Sequence, residues 1–477
     1  MLKTKSRYYF YFFSLLFVAI NITFIAYDFY YVSFLPVILL FLFASFVALD
    51  KVLLTIVFFT PLSVHLRDFV QGFSFDVSIP TEPLLIGILI LFIFKLLLDE
   101  KLDRRILTHP ISIAIYIHLF WLLITSITST MPLVSFKFLL SRIWFIVSMY
   151  FIAAQLFKEK DYIHKFIWLY IVGLMLVIAY TNYRLSGYGF NNQAASNWVV
   201  WPFFSDHTSY GAMLVMFLFP IYFYLTNQHG DLLKQAIIFL IFIVFIFAII
   251  LSYTRAAWLS LFCGFILWII VKLKLKFRTI IIGGFVGIIF LILSYSAFIS
   301  RLEKNESESS GKFTEHIESM ANITTDASNL ERLNRWKCAL RMFKEKPIFG
   351  WGPGTYTFQY APFQFSYDKT IISTDFGDLG NAHSEYLGPL AESGIIGILS
   401  VILIVIMVFI TAVRVYTKNN SIIKNLSLYI SLGLATYFIH GFLNNFLDSD
   451  KAAVPVWGFM AMLLALDIYH SKAEAEL

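Results

Sequence analysis

Apolar runs of about 20 residues recur along nearly the whole chain, separated by short polar stretches. A run of that length crosses a bilayer as a helix, because each residue rises about 1.5 Å and the hydrocarbon core is about 30 Å thick. The pattern predicts about fourteen spans. They fall over Tyr8–Tyr27, Tyr30–Leu49, Val52–Val64, Pro83–Leu98, Pro110–Ser129, Val134–Phe157 and Tyr162–Thr181. The series continues over Tyr210–Leu225, Ala236–Ser252, Ala256–Val271, Thr279–Ile299, Ile395–Val413, Ile422–Phe442 and Ala453–Ile468. One long interruption, Arg301–Leu390, breaks it. No internal repeat is visible.

The interruption has its own pattern. Glu303–Asp326 is polar and rich in Ser and Glu, a composition that predicts a mobile segment. Beyond it Leu330, Leu333, Trp336, Leu340 and Phe343 recur at three- and four-residue steps, predicting a helix with these residues on one face. Asn329 reads as its N-cap and Pro347 as its end. Arg332 and Arg335 lie one turn apart, so their guanidinium groups can converge on one anion. A solvated helix face explains the same pair, and explains Arg335 better. Gly350-Trp351-Gly352-Pro353-Gly354 permits positive φ and close approach of a ligand to the backbone. His383 precedes Ser384-Glu385-Tyr386-Leu387, which reads as a first helical turn. A helix N-terminus would keep that histidine neutral and ready to accept a proton.

Composition makes the class plain. Of 477 residues 59% are hydrophobic and 14% charged, with a mean hydropathy of +0.76; soluble proteins carry about 25% charged residues. The expected fold class is an all-α polytopic membrane protein of about 12–14 transmembrane helices with one large helical outer loop. The net charge of +6 reflects loops on one side of the membrane rather than nucleic-acid binding. Lys3, Lys5 and Arg7 set the N-terminus inside, and no cleavable signal is expected. Alternation then puts Lys101, Arg104, Arg105, Lys158, Lys160, Lys165, Lys272, Lys274, Lys276, Arg278, Arg414, Lys418, Lys424 and the C-terminal tail on the same side. Arg301–Leu390 faces outward. Cys263 and Cys338 fall in a span and in the outer loop, so no disulfide joins them.

Other residues carry candidate chemistry. Tyr188–Tyr210 is rich in Asn, Trp and other aromatic residues and closes with His207 and Tyr210. Aromatic faces beside polar groups suit sugar rings, while Trp and Tyr also gather at any membrane interface. Ser252–Trp258 joins two spans with almost no loop, which puts Arg255 at the outer membrane edge. Arg142 lies within a span, where a central charge costs about 2.5–3.5 kcal/mol. It lines a pocket for an anionic lipid head group, or else pairs with a neighbouring helix carbonyl or snorkels. Lys137, nearer the outer face, reads as snorkelling. Asp448-Ser449-Asp450 spells the DxD of metal-dependent glycosyltransferases, read here as a coincidence in a loop.

The ordered motifs TRAAW, RLNRW with KEKPIFGWGPG, and NAHSEYLGPLAESGIIG resemble the O-antigen ligase/polymerase superfamily, of the Wzy_C type, over roughly Trp201–Leu399. The resemblance implies a GT-C-like, inverting glycosyltransferase with no cofactor and no metal. It would take a glycan from undecaprenyl diphosphate on the periplasmic face of the bacterial inner membrane. The acceptor would be lipid A core, or a growing glycan if the chain is a polymerase. A lipid-linked oligosaccharide flippase is the reading from another class. By motif position Arg255, Arg332 and His383 carry the chemistry, His383 as general base. Arg335, Arg142, His207, Tyr210 and Glu392 are expected to bind substrate. The expected regions are 1–200 and 201–300, both transmembrane, the outer loop 301–390, and 391–477, again transmembrane. Membrane lipids are the other partner; nucleic acid is not one.

Overall fold

The computed structural model describes residues 2–27, 32–33, 36, 48–69, 77–97, 102–227, 230–275, 327–370, 373–374, 380–419 and 421–471. The expected span Thr279–Ile299, nearly all of Tyr30–Leu49, the segment Glu303–Asp326 and the basic pair Lys276 and Arg278 lie outside the described residues. The rest is almost entirely helical. The principal helices are α1 (Leu2–Ala26), α2 (Leu49–Phe59), α3 (Thr81–Leu97), α4 (Pro110–Ile127), α5 (Pro132–Ile146), α6 (Lys160–Ser186) and α7 (His207–Asn227). They are followed by α8 (Leu232–Leu251), α9 (Arg255–Lys272), α10 (Ala327–Glu345), α11 (Leu387–Lys418), α12 (Ser421–His440) and α13 (Asp450–Tyr469). Among the described residues, 9 helices are long and apolar enough to cross a membrane. The protein is therefore an all-α, multi-pass membrane protein.

One expected span is corrected. Val52–Val64 is not a single helix: α2 has 11 residues, about 16 Å, half a bilayer core. Pro61 then enforces a tight turn over Thr60–Leu62. The chain continues into Val64–His65, which pairs antiparallel with Ser78–Ile79.

The bundle is built around α13, which is buried along nearly its whole length. It packs against α5, α7, α11 and α12. Tyr170 of α6 stacks on Phe217 of α7 at 4.3 Å, and Phe217 meets Phe459 of α13 edge-on at 5.2 Å. One hydrophobic core runs from Val52 to Ile468, and a second, small one is formed by residues between Cys338 and Ala391.

Polar links define one end of the bundle. Asp467 accepts from Arg414 at 2.8 Å and meets His109 at 3.3 Å. Tyr469 donates to Asp103 at 2.7 Å, and His470 contacts the Phe157 carbonyl at 2.9 Å. This end gathers the basic residues Arg104, Arg105, Lys158, Lys160, Arg414 and Lys418. The starts of α7, α9 and α11 lie at the other end. There the irregular segment Gly441–Ser449 joins α12 to α13, and Arg142 of α5 reaches its Leu447 and Asp448.

Candidate active site

The non-basic end is organised by close turns. Only Ser252, Tyr253 and Thr254 separate α8 from α9, and Tyr253 takes a positive φ of 49°. Arg255 is the first residue of α9. The Thr254 hydroxyl donates to the His207 carbonyl at 2.8 Å, joining the starts of α7 and α9. Gly211 allows this approach: a Cβ there would lie 2.9 Å from that hydroxyl. Asp206 caps α7, accepting from the Ser209 N–H at 2.7 Å and the Thr208 hydroxyl at 2.6 Å.

α10 packs against α11 with an unexpected face inward. Its buried residues are Glu331, Asn334, Arg335, Cys338, Ala339 and Met342, a helical stripe offset from the apolar one. Leu340 of the predicted stripe is exposed. Asn329, the expected cap, lies within the helix Ala327–Glu345. Arg335 is not on a solvated face. It is buried, donates to Glu331 at 2.6 Å and Thr374 at 3.0 Å, and lies 3.8 Å over the Tyr360 ring. Gly380 rests against its guanidinium so closely that a Cβ would overlap it.

His383 sits beside this buried pair, ahead of α11, which begins at Leu387. Ser384 makes the turn into it, its hydroxyl accepting from the N–H groups of Tyr386 and Leu387 at 3.3 Å each. Burial, then the charges of Arg332 and Arg335, lower the His383 pKa to about 4. That shift favours the neutral imidazole at pH 7. The charge of Arg332 acts also on His207 and His440, and that of Arg255 on His207. Arg255, Arg332, His207, His383 and His440 thus come together from five separate elements. The sequence reading missed His440, whose ring lies 3.0 Å from the Asn444 amide; a histidine in an apolar stretch gave no signal.

Other candidates have structural duties. Tyr210 is in the core, edge-on to Phe204 at 5.5 Å, and does not face the site. Arg142 follows the carbonyl-paired alternative, donating to the Leu447 carbonyl and the Asp448 carboxylate. With Glu385 and Glu392 it borders a cavity between α4, α5, α11 and α12. The Glu392 carboxylate accepts from the Tyr356 N–H at 2.9 Å. Its carbonyl accepts from Gly352 N–H at 2.8 Å, and Trp351 N–H donates to Ala391 at 3.1 Å. Gly350, Gly352 and Gly354 have φ of 67°, 117° and 72°. The space beside them is filled by the Glu392 backbone, Ser129 and Phe138. The glycine turn is therefore a joint with α11, not a ligand cradle. Glu385, also missed, accepts from Tyr437 at 2.7 Å and from the Phe446 and Leu447 N–H groups at 2.8 Å each. Asp448 and Asp450 of the DxD are in separate use, Asp450 taking the Ser63 and Thr81 hydroxyls. Among the described residues no group of three His, Cys, Asp or Glu is placed to hold a metal ion, and Cys263 and Cys338 are both free thiols.

Arginine guanidinium groups beside a buried neutral imidazole make a site that can bind an anion and accept a proton. Fold and site together define a multi-pass membrane protein with a polar, cationic centre at one end of its helices. Residues 240–402 match the family model Wzy_C, O-antigen ligase, so this part of the chain is similar to that family. No curated protein matches the chain.

Proposed function

We propose that the protein is an O-antigen ligase-like inverting glycosyltransferase. It moves a glycan from undecaprenyl diphosphate to a hydroxyl of lipid A core on the periplasmic face of the bacterial inner membrane. The observation that carries this reading is that Arg332 acts on both His383 and His207, and Arg255 on His207, which links two arginines and two buried histidines at one end of the bundle. Arginines bind a diphosphate through charge-assisted hydrogen bonds, each contributing about 1.5–3 kcal/mol. Arg255 and Arg332 hold the diphosphate and offset the charge that develops as the glycosidic C–O bond breaks. The acceptor oxygen attacks the anomeric carbon from the opposite face, and its proton passes to His383. Base catalysis of this kind is worth about 10²–10⁴-fold. Arg335 keeps the loop in place, and no metal is needed for the charge it and its neighbours supply.

A polymerase uses the same donor chemistry with a growing glycan as acceptor. The test is a gel of envelope glycans from a strain lacking the gene, complemented with wild type, Arg255→Ala or His383→Ala. Long chains retained on undecaprenyl diphosphate beside bare core indicate a ligase. Core capped by a single repeat unit indicates a polymerase. Unchanged glycans would mean an acceptor other than lipopolysaccharide or a protein of another class, and purified protein that moves lipid-linked glycan across liposomes but transfers nothing would replace both readings with a flippase.

A further inference from the structure

We propose that Asn381 is a positioning residue for His383, holding its backbone in the left-handed turn that sets the imidazole in the arginine-lined site. The proposal rests on His383 being the base. His383 has a φ of 47°, a conformation that side chains other than glycine seldom adopt. Two hydrogen bonds brace it from opposite sides. The Asn381 side-chain oxygen accepts the His383 N–H at 2.9 Å, and the Trp336 indole N–H donates to the His383 carbonyl at 3.3 Å. The flanks are fixed as well. Gly380 is seated on Arg335, Ala382 is buried in the small core, and Glu385 N–H donates to the Gly441 carbonyl at 2.8 Å. Asn381 alone supplies its acceptor from a side chain two residues away, a turn that Asn forms readily. Without it, the strained residue relaxes toward a right-handed backbone and swings its ring. The charges that face the ring are Arg332, Arg335 and Glu331 from α10 and Asp206 from the α7 cap. A ring that leaves them loses its low pKa.

The experiment uses the full chain in nanodiscs, with lipid-linked glycan from the deletion strain as donor and that strain's core lipid A as acceptor. Asn381→Ala should lower kcat about 10–100-fold, as a misplacement of about 1 Å does, with donor KM within about threefold of wild type. Its acid limb should rise from about 4 toward about 6.5. Asn381→Ser returns an oxygen acceptor without adding charge and should recover part of both. Trp336→Phe, which removes the other brace, should move kcat and the acid limb in the same direction. An unchanged kcat, or a lower kcat with an unmoved acid limb, overturns the positioning role. Thermal midpoints are measured on every variant; if Asn381→Ala does not fold, the Ser and Trp336→Phe variants decide by the same readouts. His383→Ala is assayed beside them: full turnover there rejects the base itself, whatever Asn381 does.

Discussion

His383 is neutral because its surroundings penalise the imidazolium, and that has a sign that can be followed. The folded pKa of about 4 lies below the ordinary value of about 6.5. Transfer that depends on the free base should therefore stay level as pH falls through 6 and 5, and fall only through about 4. Between about 6.5 and 4 the unfolded chain binds a proton that the folded chain refuses, so this residue's contribution to stability declines across that window as pH falls. A pH profile of kcat/KM and melting curves check the two limbs separately. Arg332→Ala removes one charge acting on the ring and should move the acid limb upward, in addition to weakening donor binding; Arg332→Lys should move it little. Motif order named Arg255, Arg332 and His383 from sequence. It did not show Arg335 as buried, because Tyr360, Thr374 and Gly380, which close over its head group, lie 25 to 45 residues further along.

At the scale of elements, the joint between Trp351–Gly354 and Ala391–Gly394 governs how the outer helix meets the bundle. Gly394 has φ 68° and ψ −164° inside α11, a region open essentially to glycine alone. The Ile348 carbonyl fills the space a Cβ would need, and Ile395 N–H donates to the Pro347 carbonyl at 2.9 Å. Gly394→Ala is expected to cost at least about 1–3 kcal/mol in backbone strain, with overlap added, and to release α10 from its seat. A lowered thermal midpoint and protease cleavage near the joint would show it; wild-type values for both would mean that the kink is adaptable. The glycines were legible as a turn. That the turn is filled by the chain's own α11 was not, because sequence gives a glycine's freedom and not its neighbour. Element boundaries shifted for similar reasons: Pro61 marked a break, but hydropathy alone ran the span past it.

The whole molecule depends on a buried polar knot under α13. Lys451 is 5% exposed and donates to the carbonyls of Thr60 and Ser63 at 2.7 Å each, and to the Ser63 hydroxyl. Asp450 beside it is fully buried and takes the Ser63 and Thr81 hydroxyls. Removing either charged partner should destabilise by about 3–5 kcal/mol, since the other group stays buried and under-compensated. The double variant Asp450→Asn, Lys451→Met should cost less than the sum, and a double-mutant cycle in thermal melts measures the difference. Strict additivity would mean that the two do not act together. The multi-pass class was evident from hydropathy. The place of α13 as the axis was not, for its composition is that of any span and only packing distinguishes it.

That axis has a consequence for biosynthesis. α13 leaves the ribosome after every helix it touches, so α2 to α7 enter the membrane with their central partner still missing. The hydroxyls of Ser63 and Thr81 and the bare backbone around Thr60 must meanwhile be tolerated by lipid, water or a membrane chaperone. Closure of this bundle therefore waits for α13 rather than growing domain by domain, and a chain cut before Asp450 should be cleared by quality-control proteases instead of accumulating as a smaller stable bundle.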